Sequence, residues 1–138
     1  MTIPHTVTVG EIMHRNVATI DPMANVRTAM TMMRDKNLSS LVIERRDDKD
    51  ELGVVTIRDI GREVIAQNRS PDRVDVYEIM AKPVLSLPVD MDIKYGVRLL
   101  ARFDLARALV TDHDGKLAGI VTMRDMVLAY ADAETAIA

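Results

Sequence analysis

One short stretch occurs twice in this chain of 138 residues and constrains its fold more than any other feature. The first copy, Gly53–Asp59, reads Gly-Val-Val-Thr-Ile-Arg-Asp, and the second, Gly119–Asp125, reads Gly-Ile-Val-Thr-Met-Arg-Asp. In each copy a β-branched run typical of a buried strand leads into Thr-x-Arg-Asp, which opens a helical pattern. A helix start presents unpaired N–H groups and the positive end of the helix dipole, so each copy predicts a place where phosphate can bind.

The duplication extends over most of the chain. The segment Val9–Met13 (Val-Gly-Glu-Ile-Met) recurs 67 positions later as Val76–Met80 (Val-Tyr-Glu-Ile-Met), and the two Gly-to-Asp stretches lie 66 positions apart. We call the first pair the opening segments and the second pair the exit motifs. One residue is lost between these registers, at a predicted hairpin tip, where changes in length are tolerated.

Each repeat predicts the element order β-α-β-β-α. In the first repeat, Asp21-Pro22 predicts a helix start and the apolar spacing predicts a helix ending near Asn37. The other predictions are strands at 17–20, 40–44 and 52–56, a solvated charged tip at 45–51 and a second helix at 58–67. In the second repeat, Asp114-Gly115 indicates a hairpin, and the last helix is predicted from Arg124 to Tyr130, with the final residues frayed.

These patterns predict an α/β fold with repeat 1 at residues 7–68, a linker at 69–75 and repeat 2 at 76–131. A unit of roughly 60 residues is marginal alone, so we expect the tandem repeats to pack sheet against sheet with pseudo-twofold symmetry and a shared core. The chain is 48% hydrophobic but only 3% aromatic, so aliphatic side chains and the ten methionines are expected to fill that core. Gly53 and Gly119 are expected to be close-packing positions, because no glycine-rich loop follows them.

Charge and composition exclude several classes of function. A net charge of -3 and a pI near 5.6 argue against nucleic acid or an anionic membrane as partner. The absence of cysteine excludes thiol chemistry, and without a signal pattern or an apolar run of roughly 20 residues we expect a cytoplasmic protein. His5, His14 and His113 lack metal-ligand spacing, so we predict no metal site and interpret them as scattered surface residues.

The tandem repeat, with Glu-Ile-Met in each opening segment and Gly-x-Val-Thr-x-Arg-Asp in each exit motif, resembles a pair of CBS domains (a Bateman module) from about Val7 to Tyr130. The resemblance implies a regulatory protein that binds AMP, ADP, ATP, S-adenosylmethionine or NAD and signals to a partner. It implies no catalytic cofactor and no catalytic residues.

The resemblance also implies two binding sites, each formed by one exit motif and parts of the other repeat. Site A would combine the following residues: Thr56, Arg58, Asp59, Pro83, Val84, Leu85, Leu105, Ala106 and Arg107. Site B would combine Thr122, Arg124, Asp125, Val17, Ala18, Leu38, Ser39 and Ser40. In the repeat register Ser40 aligns with Arg107, so site A would hold two arginines, Arg58 and Arg107, and site B only Arg124. Site A is therefore predicted to favour the more highly phosphorylated ligand.

The chemistry of these residues fits such a ligand. An ionised aspartate can accept hydrogen bonds from two vicinal ribose hydroxyls, threonine can donate to a phosphate oxygen, and arginine offers phosphate a planar fork. The competing interpretation of Thr-x-x-Asp is a capping box that only stabilises a helix. For Arg107 the alternative is a side chain that points to solvent.

Three functions remain open at this point: a regulatory nucleotide-binding module, a dimerising scaffold with unoccupied pockets, and an enzyme such as a nucleotide hydrolase. The enzyme is the weakest, because no nucleophile has a base beside it in the pattern. We expect a homodimer, since the helices carry apolar residues on more than one face, and an effector protein not identified by the sequence.

Overall fold

The computed structural model describes residues 6–82 and 84–137, with side chains as far as residue 132. The chain divides into two compact units. The repeat-1 unit is Val17–Val84, and the repeat-2 unit combines Met1–Asn16 with Leu85–Ala138. Each unit therefore contains the opening segment of the other repeat.

Helices and strands follow the predicted order in both repeats. The repeat-1 half has, in chain order, α1 (Val9–Ile12), β1 (Thr19–Ile20), α2 (Val26–Lys36), β2 (Ser40–Ile43), β3 (Gly53–Thr56) and α3 (Ile57–Ile60). The repeat-2 half has a 3-10 turn (Val76–Glu78), β4 (Ser86–Pro88), α4 (Ile93–Arg102), β5 (Arg107–Thr111), β6 (Leu117–Thr122) and α5 (Met123–Ile137).

The strands form two three-stranded sheets, ordered β1-β2-β3 and β4-β5-β6. In each sheet the first pair of strands is parallel and the second pair is antiparallel. The mixed α/β class and the β-α-β-β-α order are confirmed. The parallel pair requires a crossover connection, which α2 and α4 supply.

Helix α2 begins later than predicted. Asp21 and Pro22 form a turn instead, in which the Asp21 carboxylate accepts a hydrogen bond from the backbone N–H of Met23 (2.8 Å). The N-cap is Asn25, whose side chain accepts from the backbone N–H of Thr28 at 2.9 Å. The prediction was wrong because an aspartate that bonds two residues ahead closes a turn before a helix can start.

The two C-terminal helices of the repeats also differ from the prediction. After α3 the chain continues as a π-helical segment, Gly61–Ile65, so the helical stretch ends slightly before the predicted Gln67. The predicted end of the last helix at Tyr130 is wrong, since α5 continues to Ile137. Residues 131–137 include three alanines and no glycine or proline, a composition that extends a helix.

Each unit has its own cluster of buried apolar side chains. Met33 and Leu41 belong to the cluster of the repeat-1 unit, and Leu100 and Met126 to that of the repeat-2 unit. All four are at most 2% exposed, so the interpretation of methionines as core filler is confirmed at Met33 and Met126. The packing of one sheet against the other, with pseudo-twofold symmetry and a shared core, stays a prediction.

Residues 69–75, the predicted linker, pack within the repeat-1 unit against the start of α2. The backbone N–H of Val26 donates to the carbonyl oxygen of Val74 (2.8 Å), and Val74 is buried. An ion pair between Arg27 and Asp72 adds a side-chain contact. Residues 69–75 are therefore part of the repeat-1 unit.

The hairpin tips differ between the repeats. Asp112–Lys116 forms the predicted tight tip, closed by a backbone bond from Asp112 to Lys116 (2.9 Å), with Gly115 at a φ of 77° that glycine adopts readily. The tip of repeat 1 is not simply solvated as predicted, because the Asp50 side chain is only 7% exposed. It pairs with Lys82 and accepts from the backbone N–H of Arg46 at 2.9 Å.

In the part of the chain that the structure describes, residues 6–82 and 84–137, no helix is both long enough and apolar enough to cross a bilayer.

Candidate functional site

The exit motif of repeat 1 forms the junction between β3 and α3. Thr56 ends the strand in an extended conformation, and its hydroxyl accepts a hydrogen bond from the backbone N–H of Asp59 (3.1 Å). The Asp59 carboxylate accepts in return from the backbone N–H of Thr56 (3.0 Å). This is a capping box, so the helix-capping role of Thr-x-x-Asp is confirmed in this copy, and its role in ligand binding stays a prediction. The Asp59 side chain is still 20% exposed, so a ligand can reach it from solvent.

Polar groups of the same repeat lie beside this junction. Ser40 is the cross-strand partner of Thr56, and the backbone N–H of Ile57 donates to the carbonyl oxygen of Ser39 (3.0 Å). The carbonyl oxygen of Ala18, the residue before β1, accepts a hydrogen bond from the backbone N–H of Val42 on β2 (3.0 Å). The first residue of β2 and the last residue of β3 therefore lie side by side at the start of α3.

The repeat-2 unit repeats this arrangement around the junction of β6 and α5. Arg107 is the cross-strand partner of Thr122, and the backbone N–H of Met123 donates to the carbonyl oxygen of Ala106 (2.8 Å). Leu85 accepts from the backbone N–H of Leu109 (3.0 Å). Facing residues in a sheet have Cβ atoms about 5 Å apart, so the guanidinium of Arg107 is within reach of the Thr122 junction.

The carboxylate of the second exit motif has different partners from the first. Asp125 Oδ2 accepts from the Thr122 hydroxyl (2.7 Å) and from His14 Nε2 (2.6 Å). Burial raises the pKa of Asp125, but the hydrogen bonds from Thr122 and His14 and the charges of His14 and Arg124 outweigh it, and the pKa is lowered. The carboxylate is therefore ionised at neutral pH and available as an acceptor.

His14 reaches Asp125 because its backbone is fixed to β6. Its N–H donates to the carbonyl oxygen of Ile120 (2.8 Å), and the N–H of Ile120 donates back to the carbonyl oxygen of His14 (3.0 Å). The expectation that His14 is a scattered surface residue is incomplete, since its exposed ring contacts a candidate binding residue. The available signal was the repeat alignment, in which His14 and Ala81 occupy equivalent positions with different chemistry.

The predicted site residues fall into two groups by unit. The repeat-1 unit holds Val17, Ala18, Leu38, Ser39, Ser40, Thr56, Arg58, Asp59 and Val84. The repeat-2 unit holds Leu85, Leu105, Ala106, Arg107, Thr122, Arg124 and Asp125. Pro83 lies outside the described residues. The structure brings each exit motif together with strands of its own repeat, and the cross-repeat grouping into sites A and B stays a prediction.

The chemistry available at both junctions is that of binding. Each offers backbone N–H groups at a helix start, an ionised carboxylate, a hydroxyl and an exposed arginine (Arg58 or Arg124). Thr122 donates to Asp125 and not to His14, so the imidazole does not activate this hydroxyl as a nucleophile. Among the described residues there is no group of three or more histidine, aspartate or glutamate side chains placed to hold a metal ion.

Comparison with known proteins agrees with the duplicated architecture. The family model for the CBS domain matches the chain twice, at residues 9–66 and 76–132. This chain belongs to the CBS-domain family. Its two matches follow in tandem, and the resemblance seen in the sequence is confirmed.

Relatives of this CBS-domain pair include an uncharacterised protein, MK0525, of Methanopyrus kandleri, which is 36% identical over 122 residues. That alignment covers 88% of this chain and 61% of the relative, so the chain spans less than two thirds of the relative's length. A hexameric CBS-CP12 protein from bloom-forming cyanobacteria has a similar structure, with a TM-score of 0.86 at 35% identity, covering 93% of this chain and 73% of the other.

A second similar structure was determined with a ligand. The cytosolic domain of the Mg²⁺ channel MgtE, in complex with ATP, superimposes with a TM-score of 0.70 at 26% identity. The match covers 88% of this CBS-domain pair and 48% of the MgtE chain.

Proposed function

We propose that this CBS-domain pair is a regulatory module that binds an adenosine compound at its exit motifs. The candidate ligands are AMP, ADP, ATP, NAD and S-adenosylmethionine. Binding is then signalled to an effector protein or through the protein's own oligomer, in the cytoplasm and without catalysis. The observation that carries the proposal is the duplicated junction, which sets a partly exposed aspartate and a threonine at a helix start in both units.

The aspartates Asp59 and Asp125 are proposed to accept the ribose hydroxyls. A carboxylate has two acceptor oxygens, which matches a vicinal diol. The phosphates would lie against the N–H groups at the start of α3 or α5, with Arg58 or Arg124 as the cationic partner. The purine is proposed to contact small or aliphatic side chains, since aromatic residues make up only 3% of the chain. The ATP complex of the related MgtE domain supports this ligand class.

The two junctions differ in their strand partners, and the difference predicts a preference between ligands. Ser40 faces Thr56, whereas Arg107 faces Thr122. Arg107 thus has two proposed places of action: site A, as the resemblance implies, and the junction of its own repeat. In both cases a second guanidinium favours a ligand with more phosphates.

A first prediction is that an adenosine compound stabilises the protein against heat. A ligand present at about 100 times its dissociation constant raises the free energy of unfolding by roughly 2.7 kcal/mol, which shifts the melting temperature by several degrees. Thermal melts with each of the five ligands test this, followed by calorimetric titration of those that stabilise. Unchanged melting with all five at millimolar concentration would leave the scaffold as the better function.

A second prediction concerns ribose recognition. Asp59→Asn keeps the side-chain shape and can still accept the Thr56 N–H, but it loses the charge that strengthens bonds from two hydroxyls. We expect binding at the repeat-1 exit motif to weaken by about 1.5–3 kcal/mol, with little change in stability. Asp125→Asn is the matched variant and should affect the repeat-2 exit motif alone.

Calorimetry on both variants and on wild type measures this effect. Equal losses at both sites from either variant would contradict the assignment of one aspartate to each site. A loss of folding in Asp59→Asn would show that the carboxylate serves the capping box and not a ligand.

The second candidate function is a structural scaffold with unoccupied pockets. One observation favours it: the capping box between Thr56 and Asp59 is complete without any ligand. A homodimer is proposed under either function, and the hexameric state of the similar CBS-CP12 protein supports assembly as a property of related chains. The ligand-dependent melts separate the two functions, because an empty scaffold gains no stability from nucleotides.

A further inference from the structure

The contact between His14 and Asp125 distinguishes one exit motif from the other. His14 Nε2 lies 2.6 Å from Asp125 Oδ2, within hydrogen-bond distance. The same oxygen also accepts from the Thr122 hydroxyl at 2.7 Å. A carboxylate oxygen has about two lone-pair sites, so Oδ2 is fully used by these two donors. A ribose diol that needs both carboxylate oxygens must therefore displace one of them.

The histidine is the donor that can leave. Its side chain is 58% exposed, whereas that of Asp125 is 28% exposed. The backbone of His14 is held by two hydrogen bonds to Ile120, which do not involve the ring. The ring can turn into solvent without disturbing the opening segment.

Repeat 1 supplies an internal control. Ala81 occupies the position equivalent to His14, and it makes the same pair of backbone bonds, to Val54 at 2.9 and 3.1 Å. Its methyl group cannot bond Asp59. The two junctions thus share these backbone bonds, but an imidazole reaches the carboxylate in repeat 2, whereas the Arg62 guanidinium lies 3.8 Å from Asp59 Oδ1 in repeat 1.

A contact between a histidine and a carboxylate is in general stronger at low pH. Histidine changes its charge between about pH 5 and 8, and a protonated ring binds a carboxylate more strongly than a neutral one. Other charged groups on the elements around the pair are Glu11 and Arg15 near His14 in the chain, Arg124, Asp132 and Glu134 on α5, and Arg107 on β5, the cross-strand partner of Thr122. Strand β6 has none between Leu117 and Thr122. Glutamate and arginine side chains ordinarily keep their charge over this interval.

We infer that His14 regulates nucleotide binding at the repeat-2 exit motif by occupying the Asp125 carboxylate, and that it releases this carboxylate to the ribose as the pH rises. The inference rests on the proposed function. It makes the two sites of one chain unequal in their response to acid: binding at the repeat-2 motif weakens at low pH through His14, and binding at the repeat-1 motif does not.

The test is a titration with AMP between about pH 5.5 and 8, followed by nitrogen-15 amide shifts. The amides of Thr122 and Asp125 report binding at one motif, and those of Thr56 and Asp59 at the other. Wild type is compared with His14→Ala, which matches the residue in repeat 1, and with His14→Gln, which keeps a donor that does not titrate. The AMP phosphate ionises in the same interval, but it does so equally for all three proteins.

We expect the ratio of the wild-type to the His14→Ala dissociation constant at the repeat-2 motif to rise as the pH falls, to about threefold to tenfold. His14→Gln should also lose this pH dependence, and the ratio at the repeat-1 motif should stay near one. A ratio at the repeat-2 motif that does not change with pH would overturn the inference while leaving the proposed function intact. Weaker binding of His14→Ala at every pH would also overturn it, because His14 would then contact the ligand itself. If neither motif binds AMP or any of the other four ligands in any variant, the proposed function fails and the inference fails with it.

Discussion

Gly53 and Gly119 show what single residues contribute to the junctions. A Cβ atom at Gly119 would lie 2.6 Å from the carbonyl oxygen of His14, and one at Gly53 would lie 2.8 Å from the sulfur of Met80. The expectation that these glycines are close-packing positions is confirmed. Their small size lets the opening segment of the other repeat approach the strand closely enough for paired backbone hydrogen bonds.

We predict that Gly119→Ala destabilises the protein by about 1–3 kcal/mol, because the obstructing atom belongs to the backbone and cannot turn away. Gly61→Ala is the control, since nothing lies within 4 Å of the added Cβ and the residue has ordinary helical angles. It should leave stability unchanged or raise it by up to about 1 kcal/mol. Urea denaturation of both variants decides the matter, and similar midpoints for the two would refute the close-packing argument.

Among the structural elements, the hairpin of repeat 1 is held by a partly buried ion pair that its sequence does not reveal. Seven consecutive charged residues, 45–51, predict a solvated tip, and most of them are exposed. Asp50 differs because it pairs with Lys82. This lysine follows the opening segment of repeat 2 in the sequence but belongs to the repeat-1 unit. The Lys82 ion pair, with backbone bonds from Arg46 and Glu51, holds the pKa of Asp50 well below its usual value despite burial.

This lowered pKa predicts a loss of stability in acid. An aspartate whose pKa is lower in the folded state stabilises the fold above its unfolded pKa, near 3.9, and the contribution is lost as the pH falls below that value. We therefore expect Asp50→Asn to be less stable than wild type at neutral pH, with the gap closing below about pH 4. Thermal melts across this range measure it. Asp48→Asn removes the same charge from an exposed position on the tip, and an equal effect there would contradict the prediction.

At the scale of the whole molecule, the two repeats exchange their opening segments. Val9 is fully buried in the cluster of the repeat-2 unit, and Val76 in that of the repeat-1 unit. The repeat-2 unit therefore consists of two segments far apart in the chain, whereas the repeat-1 unit is one continuous stretch. The helices also leave apolar side chains uncovered, with Ile65 58% exposed after α3 and Val127 48% exposed on α5. Exposed apolar side chains on helices are typical of surfaces that bind another protein.

We predict that the protein is a homodimer and that Ile65→Asp and Val127→Asp each weaken it, since a charge placed in an apolar interface must be desolvated. Met23→Asp is the control, because Met23 is 65% exposed but lies in the turn before α2 and not on these helices. Light scattering at tens of micromolar measures the mass of each protein. A monomeric wild type, or equal loss of mass in the control, would contradict this assignment.

The sequence by itself determined the features that depend on local pattern and on duplication. The β-branched runs and the 3.6-residue periodicity predicted the strands and helices, and the two exit motifs in matching register indicated the family. The capping box of Thr56 and Asp59, which the sequence offered as the competing interpretation of Thr-x-x-Asp, is present and depends on residues three apart in the chain. The predicted element boundaries were less accurate where a side chain can stabilise either of two local structures, as Asp21 can stabilise a turn or a helix start.

Only the tertiary structure decided which residues meet across long separations. His14 and Asp125 are 111 positions apart, and Asp50 and Lys82 belong to different repeats by sequence. Neither contact leaves a periodic signal, because each depends on a single pair of side chains. The exchange of opening segments brings the members of each pair together. This exchange is stabilised by the burial of Val9 and Val76, each in the hydrophobic cluster of the other repeat's unit. Sequence similarity between the repeats predicted the two junctions, and only the fold showed that one of them carries a histidine.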